Sequence, residues 1–166
     1  DAAETIACED VLISFAAGSP SAEEFPVREL SEAAERVFSA QGTAALSYGV
    51  TEGYQPLRQW ITDALCREQI CSEGDDVIVI SGGQQALDFT AKCLIDEGDT
   101  VLVEAPTFLN ALNTFRTYGA RLAGVPMDKE GMDMDALEQA LQKEPRVKFI
   151  YTIPNFQNPM GVTMSA

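Results

Sequence analysis

The apolar residues of this chain follow two alternating patterns. Short runs rich in apolar residues predict β-strands at residues 77–80, 100–104, 122–125 and 147–152. The first run is entirely apolar, which is typical of a strand buried on both faces of a sheet. Helical spacing of apolar residues predicts three intervening helices: one that reaches residue 95, one over residues 107–118 and one capped by Asp133. Such alternation requires crossover connections. We therefore predict an α/β fold with three layers, in which helices cover both faces of a mostly parallel sheet.

Two further helices are predicted before residue 77. Pro26 suits a first helical turn, where its missing N–H would be unpaired anyway, and Gly42 is predicted to end that helix. Pro56 opens the second helix, in which we interpret Arg58 as a solvated charge or a surface ion pair. The loop between the two helices carries Tyr48. On the residues alone, Tyr48 is interpreted as packing back onto the core.

The composition excludes several functional classes. A net charge of −15 over 166 residues argues against nucleic acid as a partner, because binding phosphates requires a basic surface. No apolar run approaches membrane-spanning length, so no membrane partner is expected. The chain has no histidine, which excludes a histidine-dependent catalytic triad. The four cysteines, Cys8, Cys66, Cys71 and Cys93, show no metal-binding pattern and are interpreted as thiols in a reducing cytoplasm.

The segment 81–85 (SGGQQ) follows the first predicted strand and precedes a helix. Two glycines allow a sharp turn, and the N–H groups of a helix that begins there can hold a phosphate. A dinucleotide site is one candidate, since Glu104 ends the next strand about twenty residues later. The third glycine of that fingerprint is missing, however, and no Gly-Lys-Ser/Thr follows as a nucleotide P-loop requires.

The second candidate is a cofactor with one phosphate and an aromatic ring. Phe108 follows the second predicted strand and could stack on a ring. Amide side chains follow the fourth strand in the segment 155–161 (NFQNPMG) and could bond a phenolate oxygen. In parallel sheets, ligands bind beyond the carboxyl ends of the strands, where both segments are predicted to lie.

Five motifs in order resemble the class I/II aminotransferases, fold-type-I enzymes that use pyridoxal 5′-phosphate (PLP). The resemblance runs from about residue 15 to the end and is nearest the kynurenine/2-aminoadipate aminotransferase-like branch. The motifs are 15–20 (FAAGSP), 48–58 (YGVTEGYQPLR), 81–87 (SGGQQAL), 104–108 (EAPTF) and 154–161 (PNFQNPMG). The resemblance implies an N-terminal segment over residues 1–46, comprising an arm and part of a small domain. It also implies that residues 47–166 are the first portion of a PLP-binding large domain.

The resemblance also implies roles for individual residues. Gly83 and Gln84 would bind the PLP phosphate, and Phe108, where relatives usually carry Tyr, would stack on the ring. Asn158 would donate to the O3′ oxygen, in a motif where Met160 replaces the usual Thr or Ser. The remaining implied roles involve the substrate and a second subunit. Gly18 would lie near the substrate carboxylate, and Tyr48 would reach the neighbouring site of a cytoplasmic homodimer.

The resemblance implies transfer of an amino group between an amino acid and a 2-oxo acid, within amino acid metabolism and biosynthesis. In relatives, the Schiff-base lysine that this chemistry needs follows the Asn-Pro-x-Gly motif. Residues Lys92, Lys129, Lys143 and Lys148 stand in helical or turn contexts that do not match it. No catalytic residue is therefore assigned, and we expect an N-terminal fragment that is inactive alone. The alternatives are a PLP-binding sensor domain of a MocR-like transcription regulator, and a carbon–sulfur lyase or decarboxylase of the same fold.

Overall fold

The computed structural model describes residues 20–72 and 74–165. Contacts divide the chain into two compact units, Asp1–Gly49 and Val50–Ala166. In the first unit, a short 3₁₀ turn precedes helix α1, Val27–Ala45. The prediction that Gly42 ends this helix was wrong. The chain only kinks, at Gln41, and Gly42 stays inside α1, where its carbonyl accepts the N–H of Leu46 at 3.2 Å.

The second unit contains the alternating elements predicted for an α/β fold. Helix α2 precedes the sheet-forming region, and α3, α4 and α5 alternate with the strands. The bounds are α2 Gln55–Arg67, α3 Gly83–Leu94, β1 Thr100–Ala105, α4 Leu109–Thr117, β2 Arg121–Asp128, β3 Gly131–Met132, α5 Met134–Lys143 and β4 Val147–Tyr151. As predicted, Asp133 caps α5, because its carboxylate accepts the N–H of Ala136 at 2.9 Å.

The described sheet has the strand order β3-β2-β1-β4. Strand β1 pairs in parallel with both β2 and β4, and the short β3 pairs antiparallel with β2. The prediction of a mostly parallel sheet is therefore confirmed. The carboxyl ends of β1 and β4 lie side by side, which brings the residues that follow them to one edge of the sheet.

Strand β1 separates two apolar clusters. Val101 and Val103 face the first cluster, which includes Phe115 of α4, whereas Leu102 faces a second cluster with Val125. Alternate residues of a strand point to opposite faces, so helices α3 and α4 cover one face and α5 packs on the other. This arrangement is the predicted three-layer architecture.

The predicted strand at residues 77–80 is absent. Within the described residues, no strand lies beside this segment, and only the N–H of Val79 bonds another backbone group, the carbonyl of Glu52 at 2.9 Å. Ile78 remains 62% exposed. A run of β-branched residues forms a strand only where a neighbouring strand can pair with its N–H and C=O groups.

The interpretation of the cysteines as thiols was wrong for two of the four. Cys66, near the end of α2, forms a disulfide with Cys71. The pairing becomes possible because α2 ends at Arg67 and the chain reverses at Gln69, whose φ is +58°. Cys93 is an exposed thiol, and Cys8 lies outside the described residues.

Residues 20–72 and 74–165 contain neither a membrane-spanning helix nor a cluster of metal-binding side chains. No helix there is long and apolar enough to cross a membrane. No group of three or more acidic, histidine or cysteine side chains there could hold a metal ion.

Candidate functional site

The glycine turn before α3 leaves backbone N–H groups free. Gly82 adopts a φ of +95° and a ψ of 168°, a conformation essentially restricted to glycine, and α3 begins at the next residue. Within the described residues, neither Gly83 N–H nor Gln84 N–H has an acceptor. A Cβ atom added at Gly82 or Gly83 would meet no atom within 4 Å. The helix N-terminus therefore opens onto free space that can hold an anion.

The side chains of the two glutamines shape this turn. The Oε1 atom of Gln85 accepts the N–H of Ser81 at 2.6 Å. This bond holds the backbone that immediately precedes the two glycines. The amide of Gln84 donates to Oγ1 of Thr114 on α4 at 2.6 Å. The Gln84 side chain thus joins α3 to α4, and its backbone N–H stays available.

A cavity of about 440 Å³ adjoins the beginning of α3. It brings three predicted site residues together, and its lining comprises Gly83, Gln84, Leu87, Phe108, Asn110 and Tyr151. Phe108 immediately precedes α4. Asn110 and Tyr151 were not predicted. Tyr151 ends β4, so the rule that ligands bind beyond strand carboxyl ends could have identified it.

Asn158 does not line this cavity but lies exposed on the loop that follows β4. The loop is closed on itself by its neighbour Gln157, whose N–H donates to the carbonyl of Val162 at 2.8 Å. The Gln157 side-chain oxygen also accepts the N–H of Met160 at 2.8 Å. Asn158 is therefore held on a hydrogen-bonded turn, and its side-chain amide makes no hydrogen bond within the described residues.

A buried carboxylate connects the loops after β1 and β4. Glu104, near the end of β1, is only 1% exposed. Its oxygens accept the hydroxyl of Thr152 at 2.6 Å and the N–H of Ile153 at 3.1 Å. They also accept the amide of Gln157 at 2.8 Å, and Gln157 donates in addition to the carbonyl of Pro106 at 2.9 Å. These internal bonds leave Glu104 unable to serve as the ribose ligand of a dinucleotide site.

The same carboxylate acts on the aromatic wall of the cavity. Burial of the Tyr151 hydroxyl, followed by the negative charge of Glu104, raises the pKa of Tyr151 above its ordinary value of 10.0. Tyr151 is thus a neutral phenol at physiological pH. Its ring also packs edge-on against Phe115 of the apolar core, with centroids 5.5 Å apart. This contact holds the Tyr151 ring in place beside the cavity.

The other two predicted site residues belong to the first unit, Asp1–Gly49. Tyr48 belongs to the first unit and is fully exposed, which does not fit the interpretation that it packs back on the core. Gly18 lies outside the described residues. None of the four lysines lines the cavity, and Lys148 instead contacts Asp99, with Nζ 3.2 Å from its carboxylate.

Comparisons with known proteins agree with this fold. The sequence profile of "Aminotransferase class I and II" matches residues 10–166. The 2-aminoadipate transaminase of Thermus thermophilus is 45% identical over 90% of this chain and 36% of that protein. More weakly similar proteins include HTH-type transcriptional regulators of Bacillus subtilis and Escherichia coli, at 27–34% identity.

Two solved structures are similar over most of the chain. The kynurenine aminotransferase of Pyrococcus horikoshii, in complex with PMP, superposes with a TM-score of 0.89, at 37% identity over 95% of this chain and 40% of that one. The α-aminoadipate aminotransferase of Thermus thermophilus, complexed with N-(5′-phosphopyridoxyl)-L-leucine, gives a TM-score of 0.81, at 43% identity over 91% of this chain and 37% of that one.

The mostly parallel sheet, the open helix N-terminus and the aromatic-walled cavity define a three-layer α/β domain with a candidate ligand site. With the sequence match over nearly its whole length, the chain belongs to the class I and II aminotransferase family. It spans about two fifths of the length of the relatives it matches.

Proposed function

We propose that the protein containing this chain is a PLP-dependent aminotransferase, and that this chain supplies the part of its site that holds the cofactor. The observation that carries the proposal is the open helix N-terminus at Gly83 beside a cavity walled by Phe108. Relatives solved with PMP or a phosphopyridoxyl amino acid support the same cofactor. When bound, PLP supplies an electron sink for the α-carbon of an amino acid.

The residues present fit that cofactor. The N–H groups of Gly83 and Gln84 have no acceptor within the described residues and open space in front of them, as a phosphate requires. Phe108 would stack on the pyridine ring, with Tyr151 on the same cavity wall. Asn158 would donate a hydrogen bond to the phenolate oxygen O3′, which stabilises its ionised form.

We further propose the wider setting of the site. The protein would be a homodimer in which Tyr48, fully exposed here, enters the site of the partner subunit. Gly18 would lie beside the substrate carboxylate. The protein would act in the cytoplasm, in amino acid metabolism and biosynthesis. The relatives named for 2-aminoadipate and kynurenine support an amino acid and a 2-oxo acid as substrates.

The full-length protein tests the proposal directly. We expect amino-acid-dependent formation of a new amino acid from a 2-oxo acid when PLP is added, measured by chromatography of both products. The 166-residue chain, whose lysines do not line the cavity, is expected to bind PLP without turnover. Absence of transamination by the full-length protein across a panel of amino acids would refute the enzyme proposal.

The alternative function is a PLP-binding sensor domain of a transcription regulator. The weaker similarity to HTH-type regulators favours it. A full-length protein that binds DNA in a PLP-dependent manner and transaminates nothing would establish this alternative. Transamination and DNA binding, measured on the same full-length protein, thus separate the two functions.

A further inference from the structure

Glu104 and Gln157 form a buried pair that no assigned role explains. Both side chains are almost completely buried, at 1% and 2% exposed, although neither is apolar. We propose that they are positioning residues: together they hold the loop of Asn158 in register with the loop of Phe108, and so set the ring-binding half of the site. This inference rests on the proposed function.

The hydrogen bonds of the pair are complete on both sides. Gln157 uses both amide hydrogens, one to Glu104 at 2.8 Å and one to the carbonyl of Pro106 at 2.9 Å. Its oxygen accepts the N–H of Met160. Glu104 accepts from Gln157 through one oxygen and from Thr152 through the other. A buried network with every group satisfied specifies one arrangement, because any displacement leaves a polar group unpaired.

The network joins the two places where the ring contacts are proposed. Gln157 directly precedes Asn158, and the carbonyl it bonds belongs to Pro106, two residues before Phe108. Glu104 lies on β1 and also accepts the hydroxyl of Thr107 at 3.4 Å. Its remaining bonds, from Thr152 and Ile153, hold the first residues after β4. The pair therefore bonds both loops where they leave the sheet, yet neither side chain lines the cavity.

The phosphate site is separate from this network. The glycine turn before α3 is held by the Gln85 bond to Ser81 and the Gln84 bond to Thr114, and none of these bonds involves Glu104 or Gln157. Disrupting the pair should therefore impair recognition of the ring and spare recognition of the phosphate. This distinction separates positioning from a general loss of stability.

The test uses the full-length protein and three variants. Glu104→Gln removes the charged acceptor, Gln157→Glu places two carboxylates at hydrogen-bond distance, and the double exchange Glu104→Gln/Gln157→Glu restores one carboxylate–amide pair. Glu138→Gln, on the exposed side of α5, is the matched control. The measurements are dissociation constants for inorganic phosphate and for PLP, the absorbance maximum of bound PLP and the melting temperature.

We expect each single variant to bind PLP about tenfold more weakly, as loss of one charge-assisted bond implies, with a shifted absorbance maximum. Phosphate affinity should stay within about twofold of the unmodified protein. The double exchange should recover only part of the PLP affinity. The carboxylate–amide bond returns, but residue 157 can no longer donate to the Pro106 carbonyl, and an amide nitrogen at residue 104 cannot accept the Thr107 hydroxyl.

Unchanged PLP affinity and absorbance in both single variants would overturn the positioning role, as would an equal loss of phosphate and PLP affinity. Either outcome leaves the proposed function intact, because the unmodified protein still binds PLP. If the unmodified protein binds phosphate but not PLP, the proposed function itself fails, and the positioning role fails with it.

Discussion

Gly82 and Gly83 are adjacent, yet a methyl group should affect them differently. The φ of +95° at Gly82 strains any residue with a Cβ, so Gly82→Ala should lower the free energy of unfolding by about 2 kcal/mol. Gly83 has no such backbone restriction. Gly83→Ala should leave stability unchanged or slightly increased, and weaken phosphate binding because its methyl enters the open space. Urea unfolding and calorimetric titration with inorganic phosphate measure the two effects.

The two alanine variants serve as controls for each other. Equal losses of stability would show that the strain is not confined to Gly82. Unchanged phosphate binding in Gly83→Ala would show that the anion does not approach this turn.

At the residue scale, those candidate site residues could be predicted that belong to a local sequence pattern, such as a glycine turn before a helix. The glycine turn and Phe108 were predicted from local pattern, and the resemblance added the roles of Gly83 and Gln84. All three residues line one cavity, although the strand predicted before Gly83 is absent. The Glu104–Gln157 bond could not be predicted, because its partners lie 53 residues apart and meet only when β1 and β4 pair. Local pattern reveals turn chemistry, whereas a buried polar pair depends on tertiary structure.

Helix α5 depends on its cap. Asp133→Ala removes the acceptor for the N–H of Ala136 and should lower the free energy of unfolding by about 1 kcal/mol. Asp135→Ala, in the first turn of the same helix, makes no cap bond and is the control. Chemical denaturation followed by circular dichroism compares them, and equal effects of the two substitutions would contradict a specific cap.

Arg58 attaches the segment 77–80 to helix α2. Its Nε atom donates to the carbonyl of Val77 at 2.6 Å and its guanidinium pairs with Asp76. Arg58 does form an ion pair, but the interpretation that its charge is solvated at the surface was wrong, because its side chain is only 16% exposed. Because a lysine has no planar fork, Arg58→Lys should lose one of these bonds and destabilise the domain, as measured by urea unfolding.

The Arg58–Asp76 pair should also make stability depend on pH. The hydrogen bond from Val77 N–H, and then that from Arg58, lower the pKa of Asp76 below its ordinary value of 3.8. A lowered folded-state pKa contributes stability that is present above 3.8 and is lost as the pH falls through the folded-state value. The destabilisation by Asp76→Asn should therefore be largest near neutral pH and disappear in acid. The measurement is the free energy of unfolding of the unmodified protein and of Asp76→Asn at several pH values. A difference between them that stays constant from neutral pH into strong acid would contradict this linkage.

At the element scale, apolar runs correctly predicted the strands β1, β2 and β4. They also predicted a strand at residues 77–80, which the structure does not contain. Val147–Tyr151 becomes a strand because β1 lies beside it, whereas the more apolar run at 77–80 has no such neighbour among the described residues. Pairing is a property of two segments, so one segment's composition cannot determine it. The two-residue β3 is too short to leave a periodic pattern.

The disulfide Cys66–Cys71 should stabilise the chain as a whole. Closing its short loop restricts the unfolded chain and is worth about 2 kcal/mol by the chain-entropy relation. Dithiothreitol should therefore lower the urea midpoint of the unmodified protein and have no effect on Cys66→Ser/Cys71→Ser. Cys93→Ser, which removes an exposed thiol, should respond to dithiothreitol as the unmodified protein does. Identical midpoints with and without the reductant would show that the bond contributes nothing.

The 166-residue chain leaves apolar surface and a strand edge uncovered. In the described sheet β4 pairs on one side only, with β1, and its Ile150 is 41% exposed; Trp60 of α2 is 65% exposed. An unpaired edge beside apolar side chains favours pairing with another copy, so we expect this chain to associate as its concentration rises. Ile150→Lys should suppress the association, because an edge lysine opposes strand addition. Leu141→Lys, on α5, introduces the same charge away from the edge and should not. Size-exclusion chromatography with light scattering measures all three proteins, and a monomer at every concentration would show that the edge of β4 is already protected.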